Sequence, residues 1–372
     1  MRIALDLLCL IPGEIGGTAT YARGLCEGLS ECIDDDEVFL YLNQSEQDWP
    51  LPADSRFHKI ICGVSGRRRF ARYCYEQLAL PLQLHRDRID VVHSLGNVSP
   101  LFTFCRSVVT ISDLHFKHFA KDMSFARWAA LRFFVPSSIR KCDQVITVSE
   151  FSRTEICADY PWVAPKIHVT HLASGFSPLP SPHDTKTKLG IPSPYFVAFS
   201  STSPHKNLDK LIEVYAELRS RKVISHTLVI VGSHSSISHA EKDVIFTGYL
   251  PNAMVRTVLG SASFLVFPSL YEGFGLPLLE AMALGVPVAC STAGSLPEVA
   301  GEAALFFSPT SKAEIRGALT RIARDKNLRD SLRAKGHENL KRFSWRRTAE
   351  LTYQVLQRAT RHASRENFGS AA

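Results

Sequence analysis

The sequence predicts an α/β chain of two doubly wound domains, each on a parallel sheet. Three observations carry that expectation. Short apolar runs of strand length alternate with longer amphipathic stretches along the chain. A Pro- and Ser-rich segment, SGFSPLPSPHDTKTKLGIPSP from Ser174, divides the alternation into two series. A length of 372 residues suits two domains better than one. The expected boundaries are residues 1–178 and 190–345, with a last helix over 346–365.

Composition narrows the class. The hydrophobic fraction of 45% and charged fraction of 21% are those of a water-soluble globular protein. The formal net charge of +7 suits nucleic acid, an anionic membrane surface or plain solvation, and for nucleic acid nothing but charge speaks. Nine cysteines without a C-x-x-C pair give neither a zinc pattern nor a disulfide framework. They fit free thiols in a reducing cytosol. The opening MRIALDLLCL, broken by Asp6, reads as a first strand rather than a signal peptide. No apolar run is long enough to span a bilayer.

In the first series, Arg2 to Leu10 reads as a strand. Gly16 and Gly17 then close a loop, and Thr18 or Thr20 caps a helix to about Leu29. Strand, glycine turn and helix make a phosphate-binding geometry, although the spacing is not G-x-G-x-x-G; a tight structural turn explains it equally well. Strands follow at Glu37–Leu42 and Phe57–Cys62. The stretch from Arg67 to Arg88 mixes arginines with Phe70, Tyr73, Tyr75, Leu78 and Leu80. Such a helix suits an anionic membrane surface, or a solvated face with snorkelling arginines. Ile89–His93, Val108–Ile111, Gln144–Ser149 and Ile167–Thr170 are short buried strands. Ligands of open α/β sheets bind at the C-terminal ends of strands. His93, Asn97, Ser112, Asp113, His115 and Ser149 all fall at or just past such ends.

The second series has strands at Tyr195–Phe199, Thr227–Gly232, Val244–Gly248, Phe264–Phe267 and Val286–Cys290. After the first of them come His205, Lys206 and Asn207, where an amphipathic helix begins. After the fourth comes EGFGLPLLE, with Glu272 in the loop and Glu280 on a short helix. Gly273 and Gly275 let a ligand approach the backbone, and Pro277 fits the first helical turn. Amides at that helix start favour an anion, while the two carboxylates accept hydrogen bonds from hydroxyls. A ligand with both features is a sugar nucleotide. SLPEV, Ser295 to Val299, opens another helix, and the tail from Ser311 is basic and helical.

The stretch PSLYEGFGLPLLEAMALGVPV resembles, almost letter for letter, the glutamate–seven residues–glutamate motif of the retaining family-4 glycosyltransferases of GT-B fold. ITVSEFSR and SPHKNL are similar to further segments of that family. The resemblance implies two Rossmann-like domains facing a cleft, acceptor mostly on the first and donor on the second, with the last helix crossing back to the first. It implies that Gly16, Gly17, His205, Lys206, Asn207, Gly273, Phe274, Gly275 and Leu276 surround the donor's diphosphate and sugar. Gly248, Tyr249 and Leu250 then lie under the base, Glu272 meets the sugar and Glu280 the ribose. Lys206, Glu272 and Asp113 are the candidate catalytic residues; His93, Asn97, Ser112, His115 and Ser149 are candidates for acceptor or sugar. Two departures stand out: Ser112 where the family has histidine, and His205 where it has arginine.

The implied activity is retaining hexosyl transfer from a GDP- or UDP-linked sugar, first GDP-mannose, to a lipid-linked oligosaccharide or other glycan. No metal-binding Asp-x-Asp triplet is found and Lys206 offers the positive charge a metal otherwise would, so neither a metal nor any cofactor beyond the nucleotide sugar is expected. The expected location is cytoplasmic, with peripheral contact on the inner face of the membrane. Two rivals share the nucleotide site: a sugar-nucleotide 2-epimerase, and a non-catalytic sugar-nucleotide-binding protein.

Overall fold

The computed structural model describes residues 1–11, 17–176, 190–200, 203–232 and 243–366. They fall into two units, Met1–Ala173 with the chain from Ser344 onward, and Ser174–Phe343. The first unit holds a seven-stranded sheet of β1 (Arg2–Asp6), β2 (Glu37–Asn43), β3 (Phe57–Cys62), β4 (Val91–Ser94), β5 (Arg106–Thr110), β6 (Gln144–Thr147) and β7 (Ile167–Val169). Its order is β3-β2-β1-β4-β5-β6-β7, every pairing parallel. The second unit holds a six-stranded sheet of β8 (Tyr195–Phe199), β9 (Thr227–Val231), β10 (Val244–Phe246), β11 (Leu265–Phe267), β12 (Val288–Ser291) and β13 (Ala304–Phe307). Its order is β10-β9-β8-β11-β12-β13, again all parallel. This is the expected pair of doubly wound sheets.

Both sheets are buried on two faces, which is why their strands read as continuous apolar runs. In the second unit Phe196 stacks on Phe264 at 4.9 Å, and Leu211, Tyr215 and Leu218 of the helix Leu208–Ser220 close over them. In each sheet the winding reverses once, between β1 and β4 and between β8 and β11. In such sheets the point of reversal, at the C-terminal ends of the strands, is where ligands bind.

Several boundaries moved. Strand β1 stops at Asp6, whose carboxylate turns inward to accept from Leu8 N and Ser94 Oγ, so Leu7 to Leu10 form a buried turn. The first helix runs Gly17–Cys32, so Thr18 and Thr20 lie inside it and neither is a cap. Gly16 lies outside the described residues, as does most of the Pro- and Ser-rich segment. The stretch Arg67 to Arg88 is an α-helix, Arg69–Cys74, a π-helical turn, Tyr75–Ala79, and a second helix, Leu80–Arg86. Pro81 sits in the first turn of that second helix, where no N–H is needed. The helices Phe125–Lys141 and Asn252–Gly260 and strand β13 were not foreseen.

The last helix, Trp345–Glu366, packs on the helix Gly17–Cys32. The close approach depends on two glycines. A Cβ on Gly24 would fall within the Trp345 ring, and one on Gly28 against the Trp345 carbonyl and 2.7 Å from the Ala349 Cβ. Tyr21 stacks on the same tryptophan.

Candidate active site

The loops after β8 and β11 meet across the reversal point of the second sheet. After β8 a single 3-10 turn, Pro204–Lys206, ends at Asn207, which takes the left-handed conformation (φ 56°). Asn207 holds itself there by donating from Nδ2 to the carbonyls of Pro268 (3.1 Å) and Pro309 (2.9 Å). The His205 carbonyl accepts from Leu270 N at 2.7 Å, tying the two loops together by backbone.

That bracing places Lys206 beside Glu272. Lys206 Nζ donates to Glu272 Oε1 at 2.6 Å and lies 5.1 Å from the centre of the Phe267 ring. The two side chains are 19% and 13% exposed, so the pair is neither a solvated surface bridge nor sealed in the core. At such a half-open place an incoming anion can compete for the ammonium and a hydroxyl for the carboxylate.

The loop carrying Glu272 is pinned from behind. Its carbonyl accepts from Ser295 N (3.1 Å) and Ser295 Oγ (3.0 Å), and the Phe274 carbonyl accepts from the same hydroxyl at 2.8 Å. Gly294, at φ 61°, lets that segment through; a Cβ there would sit 2.8 Å from Glu272 N and closer still to its carbonyl oxygen. Gly275, at φ 106°, turns the chain into the helix Leu276–Ala283. Glu280 lies partly covered on that helix, and burial raises its carboxyl to about 7. Gly273, Phe274 and Leu276 are buried in the same turn. Gly248 bridges Gly232 by backbone at the end of the β9–β10 pair; Tyr249 stands half exposed and Leu250 is buried. The fold thus gathers His205, Lys206, Asn207 and residues 272–276 into one site, with Glu280 on the adjoining helix. Ser295, which fixes the loop, was seen in the sequence only as a helix start.

In the first unit the named residues line the C-terminal ends of β4, β5 and β6. Asn97 (φ 64°) accepts at Oδ1 from Ser112 N, 2.9 Å, and the Ser112 carbonyl accepts from Ser152 Oγ, 2.9 Å. Ser149 caps the helix Glu150–Asp159 by accepting from Ser152 N, and Asp113 accepts from His115 N at 2.9 Å. His93 is withdrawn from solvent: it is 0% exposed, its Nε2 pairs with Thr110 Oγ1 at 2.7 Å, and burial lowers its imidazole to about 3. It stays neutral and serves packing in this conformation. Gly17 is the first residue of its helix.

Two Rossmann-like sheets with paired loops at the reversal point of the second define the GT-B class of fold. The family model for Glycosyltransferase Family 4 matches residues 15–173 and that for Glycosyl transferases group 1 matches residues 183–339. The chain carries a family-4 glycosyltransferase domain followed by a glycosyl transferases group 1 domain. Among curated proteins it is 32% identical over 228 residues to O-antigen chain mannosyltransferase B of Escherichia coli, a match covering 56% of this chain and 58% of that one. The chain thus spans little more than half of that relative. Sucrose-phosphate synthase of Thermosynechococcus elongatus superimposes over 100% of both chains with a TM-score of 0.74 at 18% identity. WaaG, a glycosyltransferase involved in lipopolysaccharide biosynthesis, does so with a TM-score of 0.72 at 16% identity, over 95% of this chain and 99% of the other. At those identities the superpositions speak for the fold.

Proposed function

We propose that the protein transfers a hexose from a nucleotide sugar to a lipid-linked or saccharide acceptor in polysaccharide assembly, with retention at the anomeric carbon. Mannose from GDP-mannose is the first reading, supported by the mannosyltransferase named among its relatives. The observation that carries the proposal is the half-open Lys206–Glu272 pair braced across the β8–β11 reversal.

In this reading the donor's diphosphate takes the Lys206 ammonium from Glu272, and Glu272 turns to the sugar hydroxyls. The bond from the anomeric carbon to the phosphate oxygen breaks while the acceptor oxygen bonds to the same face of that carbon. The acceptor's proton passes to the departing phosphate oxygen. The protein's share is orientation and stabilisation of negative charge on the leaving group. Lys206 supplies the balancing positive charge, His205 adds a hydrogen-bond donor, and the start of the helix Leu276–Ala283 adds its dipole. Glu280 holds the ribose. The reaction needs no metal in this reading, because Lys206 stands where a cation is wanted. The acceptor lies at the strand ends of the first unit, near Asn97, Ser112 and Asp113.

Thermal-shift screening against GDP-, UDP- and dTDP-sugars identifies the donor. A donor at a hundredfold excess over its dissociation constant adds about 2.7 kcal/mol of stability. NMR of the products with and without acceptor then separates the readings. Transfer with retained configuration supports the proposal. A changed sugar without acceptor makes it an epimerase, and binding without any turnover makes it a sensor of sugar nucleotides.

A further inference from the structure

Three charged side chains lie buried together where the first sheet reverses. Asp6 ends β1 and Ser94 ends β4, and the Arg69–Arg86 stretch brings Arg72 and Glu76 beside them. Asp6 is 3% exposed, Arg72 7% and Glu76 3%. Arg72 Nε lies 3.2 Å from Glu76 Oε1, and the guanidinium carbon lies 4.7 Å from the centre of the Tyr73 ring. One cation thus serves two carboxyls in a place with little water. With both ionised, one buried negative charge would stand unpaired, which is costly, so the cluster keeps a proton.

Hydrogen bonds decide which carboxyl holds it. Asp6 accepts from Leu8 N at 3.2 Å and from Ser94 Oγ at 2.9 Å, and both bonds favour its ionised form. Glu76 Oε2 is sealed from water and meets no hydrogen-bond donor among the described residues, so a carboxylate there would go unpaired. Desolvation raises both groups. It takes Glu76 to about 8, with the charge of Asp6 adding to it. It takes Asp6 only to about 6, because the two hydrogen bonds and Arg72 oppose it. The remaining titratable neighbour is Cys9, whose thiol burial pushes up to about 12, so it brings no charge.

Glu76 falls in the π-helical turn Tyr75–Ala79, a departure from α geometry that often marks function. Gln77, the next residue, donates to the Ser99 carbonyl at 3.2 Å and accepts from Leu101 N at 2.9 Å. The exit of β4 is therefore held by Asp6 at Ser94 and by Gln77 at Ser99 and Leu101. Between those points Asn97 Oδ1 accepts from Ser112 N at 2.9 Å. We infer that Asp6, Arg72 and Glu76 are positioning residues, a clasp closed by one proton that sets the β4 exit and, through Asn97, the residues proposed to meet the acceptor. Opening the clasp exposes Glu76 to water, where it ionises at its ordinary 4.5. Below that pH both states keep the proton and the clasp is tightest. Between about 5 and 8 the open state gains as pH rises, and above 8 both states ionise and the effect levels off. Only the purpose of the clasp, an acceptor at Asn97 and Ser112, rests on the transferase reading.

The test is hydrogen exchange of the full chain, read by mass spectrometry from about pH 5 to 9 and corrected for the intrinsic rate at each pH, in the parent and in Glu76→Gln. Relative to the variant, the parent is expected to lose protection over residues 94–112 by up to about tenfold per pH unit between about 5 and 8, and to level off beyond. Residues 37–62 of the same unit and 288–300 of the second should show no such gap. Ser94→Ala cuts the link to Asp6 and is expected to lower protection over 94–112 at every pH, with Ser94→Thr restoring it. A gap between parent and Glu76→Gln that stays flat with pH overturns the inference. So does a gap shared by residues 37–62, which would make the cluster a support of the whole unit, or a Ser94→Ala variant protected like the parent. Exchange needs no substrate, so the clasp and the transferase reading can fail independently.

Discussion

Glu280→Gln is expected to stabilise the unliganded protein, and only at the alkaline end of its range. Burial on the helix Leu276–Ala283 raises the Glu280 carboxyl from an ordinary 4.5 to about 7. Below pH 4.5 folded and unfolded chains both keep the proton, and the group costs nothing. As pH rises toward 7 the unfolded chain ionises freely, while the folded chain must retain the proton or bury a charge, so stability falls. The full loss above pH 7 is about 3 kcal/mol, an upper bound because Glu280 keeps partial contact with water. Glutamine has no proton to lose. The melting-temperature gap between variant and parent should open from near zero at pH 4.5 toward roughly 6–12 °C at pH 8 for a unit of this size. In the proposed reading ligand reverses the preference, since ribose hydroxyls would donate to the carboxylate. Binding of GDP at pH 7 should release roughly half a proton, seen in calorimetry as a heat that depends on the buffer, and Glu280→Gln should remove that dependence. A gap that stays flat from pH 4.5 to 8 refutes the burial argument. A buffer-independent heat refutes the ribose assignment and leaves the stability argument standing.

Lys206→Ala should lower kcat by about 10²–10³-fold, the loss typical of one donor to developing charge; a folded variant with unchanged kcat in steady-state assays removes the diphosphate from this lysine. Glu272→Ala should lower kcat and raise KM together, whereas Glu280→Ala should act mainly on KM, because ribose contacts change little on the way to the transition state. Transfer is expected to survive EDTA; loss on chelation with recovery on Mg²⁺ or Mn²⁺ would show that Lys206 does not replace a metal. Gly28→Ala should cost about 1–3 kcal/mol by forcing the last helix off the first, measured as a lowered melting temperature; an unchanged melting temperature would mean the two helices part without cost.

The strand–loop–helix turn around Glu272 was legible because its signals are local. Glycines and Pro277 within one short string imply the backbone conformation that the structure has, with the helix starting at Leu276. The Lys206–Glu272 bond was not, because it joins residues 66 positions apart and depends on which strands are neighbours. The sequence placed Lys206 where a helix begins; the helix starts two residues later, at Leu208, and Lys206 pairs with Glu272. The helix Phe125–Lys141 was missed for a different reason. It exposes Phe125 and Phe133 and buries only Val135, Ser138 and Ile139, so its apolar residues do not trace the inward stripe that marks a helix in sequence. His93 shows the limit of position alone: the sequence puts the histidine at a strand end, and only the fold shows that its ring is buried with Nε2 on Thr110.

The glycine seam beneath Trp345 sets an order of events during synthesis. The first unit is written in two instalments, and the whole of Ser174–Phe343 leaves the ribosome between them. Until Trp345 and the turns after it emerge, Tyr21, Gly24 and Gly28 present an unfilled slot that no earlier part of the chain occupies. The domain begun first is therefore the domain finished last. A nascent chain arrested near residue 340 should carry a complete second sheet and a protease-sensitive first one. For the same reason a fragment of residues 1–173 should be a poor stand-in for the first unit, and adding residues 344–366 as a separate peptide should restore it.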